Sequence, residues 1–201
     1  MMKMIIVFLG ATALAGCGEN VNKDHAHNSP PAAMPAPQPK KEVQTLRVTF
    51  TQVEPSIKQH IQALVAQYLR IKDALVAAEP AGVPAIAEKM LAELRGVDKS
   101  YLSFPQKEAY DKSTADLRKQ LEKLTTTPDL AAQRVILEPL SPAVFQLAKD
   151  FGYQTNLYRE YCPMAFDNRG AAWLSDSDSI RNPYFGDEML KCGTVTDILN
   201  R

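Results

Sequence analysis

The sequence carries no excess of charge, no long hydrophobic run and few of the side chains that most often do chemistry. Lys and Arg total 23, and so do Asp and Glu, for a formal net charge of zero. That balance gives no electrostatic reason to expect nucleic acid or a polyanion as partner. The most apolar stretch, Ile5 to Leu14, is too short to span a bilayer. There are three histidines, one tryptophan and three cysteines. The chain has no Gly-rich phosphate loop, no repeat of solenoid length and no basic stripe. Ser103, Ser141 and the histidines show no nucleophile-elbow context, so nothing specific points to a hydrolase. An enzyme is not expected.

What is present begins at the N-terminus. Lys3 supplies a short positive region, the apolar run follows, and Leu14-Ala15-Gly16-Cys17 closes it. That ending matches the bacterial lipobox. It implies a signal peptide over residues 1–16, cut before Cys17, whose thiol then carries the lipid. Gly18 rather than Asp follows, which favours outer-membrane anchoring on the periplasmic side of the envelope. The lipid would hold the protein to the membrane, outside the cytoplasm, where disulfides persist. With Cys17 used as the anchor, Cys162 and Cys192 are the remaining thiols.

Residues 17–45 then read as a lipidated cysteine and a Pro-rich tether. Five prolines fall between Pro30 and Pro39, and bulky apolar residues are almost absent, so the stretch has no means to build a core. His25, His27 and Met34 are read as polar or solvated linker residues rather than as copper ligands.

From Leu46 to Arg201 the pattern is that of a domain. Leu46–Phe50 alternates like one short strand. Ile57, Ile61, Leu64, Tyr68, Ile71 and Leu75 then recur at helical spacing, from Pro55 to the stop at Glu79-Pro80. Val83, Ile86, Met90, Leu94 and Val97 repeat the pattern in a shorter helix. Tyr110, Thr114, Leu117, Leu121 and Leu124 form a third seam. Asp129 is a good cap for a fourth helix. Pro139 and Pro142 interrupt that helix, and an interior proline costs about 3 kcal/mol. The sequence therefore predicts a break near residues 138–141. A separate helix, holding Val144, Leu147 and Phe151, would follow and stop at Gly152. The expected fold is all-α: an antiparallel up-down four-helix bundle with a small irregular C-terminal cap, made of a short hairpin and a helical turn.

The cap carries the one constellation of chemical interest. Cys162 and Met164 are two apart, so in an extended segment both sulfurs leave one face. Met189 and Cys192 are three apart and share a face of a helical turn, with Asp187 as cap and Gly193 as stop. Asp167-Asn168-Arg169-Gly170 tolerates positive φ, which lets the chain fold back as a hairpin around Trp173. Thiolates and thioethers are soft donors that select Cu(I) or Ag(I) over hard cations. The same spacing equally serves a disulfide between Cys162 and Cys192, with Met164 and Met189 packed beside it. His60, one position off its helix seam, reads as a boundary residue. Asp176 and Asp178 read as a solvated turn, lacking the Gly and Glu of a calcium loop. Asn182 to Gly186 reads as a turn whose aromatics anchor the cap.

The string YCPMAFDNRGAAWLSDSDSIRNPYFGDEMLKCG, with the helical stretch AQYLRIKDALVAAEP, resembles the family called domain of unknown function 3347. The resemblance covers roughly residues 50–193. Such domains occur alone in envelope lipoproteins and fused to periplasmic adaptor subunits of copper and silver efflux pumps. The resemblance thus implies a context of metal handling. Joined to the sulfur spacing above, the expectation is a non-enzymatic lipoprotein that binds Cu(I) or Ag(I) through Cys162, Met164, Met189 and Cys192 for sequestration, or for delivery to a periplasmic efflux component. The alternative is a disulfide-stapled interaction module with no metal.

Overall fold

The computed structural model describes residues 42–201. Residues 1–16, read above as a signal peptide, and Cys17, His25, His27 and Met34 lie outside the described residues.

Four helices form where the apolar seams run. Helix α1 spans Pro55–Val76, α2 Val83–Gly96, α3 Phe104–Thr125 and α4 Leu130–Phe151. Ile57, Ile61, Leu64, Tyr68, Ile71 and Leu75 are all buried, as are Met90, Leu94, Leu117, Leu121 and Leu124. Sequence signals set the ends. Pro55 opens α1, where a missing N–H is harmless. Gln106 Oε1 accepts the Ser103 amide at 3.0 Å at the head of α3, and Asp129 accepts the Ala132 amide at 2.8 Å at the head of α4. Gly152 ends α4 at φ 86. The last carbonyls of α4 are taken by the segment before α1: the amides of Thr49 and Phe50 donate to Lys149 and Asp150, both at 2.9 Å. No described helix is long and apolar enough to cross a membrane.

The expected break in α4 is absent. The helix runs unbroken from Leu130 to Phe151 with Pro139 and Pro142 inside it. Both prolines are exposed, whereas Leu137, Leu140, Ser141, Val144 and Leu147 on the other side are buried. Water can reach the carbonyls that the prolines leave unpaired, and the continuous buried face outweighs the local cost.

The all-α expectation is also overturned. The chain is a mixture of α and β: beside the helices stands a four-stranded mixed sheet of β1 (Gln44–Leu46), β2 (Leu157–Cys162), β3 (Ala171–Ser175) and β4 (Thr194–Leu199). The order is β1-β4-β2-β3. The expected hairpin is there as β2 and β3, antiparallel, with Cys162 opposite Ala171 and Glu160 opposite Trp173. The unexpected member is β4, which pairs antiparallel with β2 and parallel with β1. Its residues, TVTDIL, are mostly β-branched or aliphatic and suit a pleated, half-buried surface. The sheet packs on α4 and α1. One continuous core results, with Trp173, Tyr68, Tyr110 and Phe151 among its largest fully buried side chains.

An edge strand is normally open to further pairing. Here β3, last in the sheet, is closed by two tyrosines. Tyr68 Oη accepts the Leu174 amide at 3.1 Å, and Tyr184 Oη donates to the Ala172 carbonyl at 2.7 Å.

Candidate functional site

The two cysteines meet at the end of the sheet. Cys162 closes β2, fully buried, and Cys192 stands two residues before β4, partly buried. Their sulfurs are 2.7 Å apart, with both thiols free. The pairing of β4 with β2 brings this about: Tyr161 lies opposite Thr194, so Cys162, the next residue, and Cys192, two before Thr194, come alongside. Beyond Cys162 a turn leads the chain back to β3. Phe166, Asp167, Asn168 and Gly170 all have positive φ, whereas Arg169 does not, and a short helical turn α5 (Ala165–Asn168) forms within it. Gly170 suits its φ of 79, and a Cβ there would also displace the exposed Tyr161 phenol.

Cys192 is held mainly through its backbone. Its amide donates to Met189 O at 2.9 Å, and its carbonyl accepts from Asn182 Nδ2 at 2.7 Å. Asn182, fully buried, organises the whole approach, since its Oδ1 also accepts the amides of Tyr184 and Phe185. Sequence reasoning took Asn182 only for a turn residue. The expected aromatic anchor is present: Tyr184 meets Trp173 and Phe166 edge-on at 5.9 and 5.2 Å. The expected helical turn at Met189–Cys192 is not. A 3-10 turn covers Gly186–Glu188, and Gly193 serves as a point of close approach, where a Cβ would lie 2.8 Å from the Trp173 ring.

The methionines flank this pair unequally. Met164 is 47% exposed, and its backbone amide faces the Cys192 thiol; Met189 is half-buried. Burial pushes the Cys192 thiol up to about 11, the neighbouring Cys162 adds to the shift, and the Met164 amide opposes it. Cys192 therefore stays protonated at neutral pH, unlike a reactive thiolate. Among the described residues, no group of three or more His, Cys, Asp or Glu side chains is arranged to hold a metal ion.

A second polar group in the sheet escaped the sequence reading. Glu160 is fully buried opposite Trp173, and neither its oxygens nor the Trp173 indole N–H make a hydrogen bond. Burial raises its carboxyl to about 8, against the opposing influence of Lys72 and the nearby indole. The remaining candidates have structural settings. Ser141 bonds Tyr68 and Leu137, Asp176 and Asp178 are exposed, and His60 bonds Tyr110 Oη at 2.8 Å.

Residues 64–156 match the family model described as Protein of unknown function (DUF3347). Over those residues the chain is similar to that family, in keeping with the resemblance seen in the sequence. The DUF3347 match runs from the middle of α1 to the residue before β2, so it rests on the helices, and the cysteine pair lies beyond it. Comparison with curated proteins and with solved structures returned no match.

Proposed function

We propose that this protein is a non-enzymatic cell-envelope lipoprotein in which Cys162 and Cys192 close a disulfide that staples the sheet, leaving the helices as an interaction module. The observation that carries this reading is the 2.7 Å approach of two sulfurs, one of them fully buried. The lipobox supports the location: a chain anchored through Cys17 lies outside the cytoplasm, where such a bridge persists. The bridge closes a span of 30 residues, worth roughly 3 to 4 kcal/mol on the chain-entropy account.

A second reading places Cu(I) or Ag(I) on the same sulfurs. It is favoured by the backbone contacts that tie both methionines to Cys192. The donor set suits a soft ion, with two thiols joined by Met164 and Met189. The geometry suits it less. Metal–thiolate bonds of about 2.3 Å, taking zinc as the guide, hold two sulfurs roughly 4 Å apart, so this pair would have to open. The raised Cys192 pKa also works against the thiolate a metal needs.

Thiol counting on the purified protein, with and without reductant, separates the readings when joined to a Cu(I) competition assay. The staple requires no free thiol in the oxidised protein. It also requires that the reduced protein hold Cu(I) no more tightly than the Cys162→Ser/Cys192→Ser variant. Tight uptake that the double variant loses would replace the staple by a copper carrier serving a periplasmic efflux component.

A further inference from the structure

Helix α2 has 14 residues and α1 has 22, so α2 ends early at Gly96 and the chain crosses to α3 through residues 97–103. The shortfall leaves a groove of about 610 Å³ between the first turns of α1 and the last turns of α2. That volume lies in the range of small-molecule sites, about 300 to 1,000 Å³. Its depth comes from small residues: Ala63 and Ala92 line it, and a Cβ on Gly96 would meet nothing within 4 Å.

We propose that this groove binds a small organic cation, an ammonium or guanidinium group carried on an apolar or aromatic body. The lining charges are Glu93 and Asp98 against Lys89, a negative balance. Glu93 has no ion-pair partner among the described residues, and the neighbouring Lys99 is tied to Asp111 instead of offsetting Asp98. The Ser100 amide donates to Asp98 Oδ1 at 2.9 Å and keeps that carboxylate ionised. Burial lowers the His60 pKa, with the Glu93 carboxylate acting the other way, so the uncharged ring is favoured. Its Nε2 is bonded to Tyr110, and its other ring nitrogen makes no hydrogen bond among the described residues. Tyr101, 53% exposed, also lines the groove and supplies an aromatic ring of the kind that attracts cations. The site is independent of the cysteine pair and of the function proposed for it.

The test is NMR titration of the full chain with phenethylammonium, 2-phenylethanol and phenylacetate, three probes that share one ring and differ in charge. Saturable shifts at His60 and at the amides of residues 93–98 are expected for the ammonium alone. Glu93→Gln should weaken its binding by about tenfold, the loss of one close charge pair in a partly solvated site. Tyr101→Ala should weaken it further, with Tyr101→Phe restoring it. Equal binding of the alcohol, an unchanged affinity in Glu93→Gln, or no saturable shift with the ammonium would each overturn the assignment.

Discussion

Tyr68 on α1 accepts the amide of Leu174 on the edge strand β3 at 3.1 Å and lies 2.7 Å from Ser141 Oγ on α4. Ser141 donates its own proton to Leu137 O, so the Tyr68 hydroxyl is the donor between the two. One phenol thus ties two helices to the sheet. Burial, first among its causes, raises the Tyr68 pKa and keeps that proton in place.

Tyr68→Phe should accordingly lower stability by about 1 to 3 kcal/mol, because it strands a buried amide. Ser141→Ala leaves Leu174 paired and should cost less. Urea unfolding of both variants reads the difference, and an unchanged midpoint for Tyr68→Phe would reduce the tyrosine to filling space.

For the sulfurs, oxidised Cys162→Ser and Cys192→Ser should each lose roughly 3 to 4 kcal/mol relative to the oxidised parent, and nothing comparable once both are reduced. Met164→Leu and Met189→Leu conserve volume and should cost under about 1.5 kcal/mol. Thermal melts in the two redox states make the comparison.

Glu160 predicts a pH dependence. Its folded pKa, about 8, stands above the ordinary 4.5. The folded state therefore binds the proton more tightly between those values, and stability falls as pH rises through that window. The contribution is complete below pH 4.5 and lost above pH 8. Glu160→Gln should flatten the profile of denaturation midpoints from pH 5 to 8. A variant that keeps the slope would assign it to another group.

Gly193 has φ 149 and no room beside Trp173. Gly193→Ala should destabilise by more than about 1 kcal/mol, through strain and displacement of the indole. The chain has one tryptophan, so its fluorescence reports the site directly. Native emission that is unshifted at full stability would show that the loop yields easily.

The helices were legible because each buries a face at a fixed period, and Ile57 to Leu75 announce that face without help from tertiary contacts. Pro139 and Pro142 misled for the opposite reason. Their local cost is readable, but the burial that overrides it depends on which side of α4 meets the core. Strand β4 was passed over because six residues, one of them an aspartate, carry a weak period, and its partners lie far away in sequence. The cysteine pair was accessible through spacing and the hairpin signal. Asn182 and Glu160 were not, since a polar side chain in a turn or strand ordinarily faces water, and only the packed sheet makes it face inward.

The parallel pairing of β1 with β4 has a bearing on how the chain assembles. Gln44 finds its register partner only at Asp197, nearly the whole length of the domain away. Contacts so distant in sequence are slow to form, because the intervening chain must first be gathered in. During synthesis from the N-terminus, β1 emerges first and must wait, unpaired, until β4 has been delivered. The opening strand of the domain is therefore among the last to settle, and shortening the chain before Thr194 would leave it with no partner in the sheet.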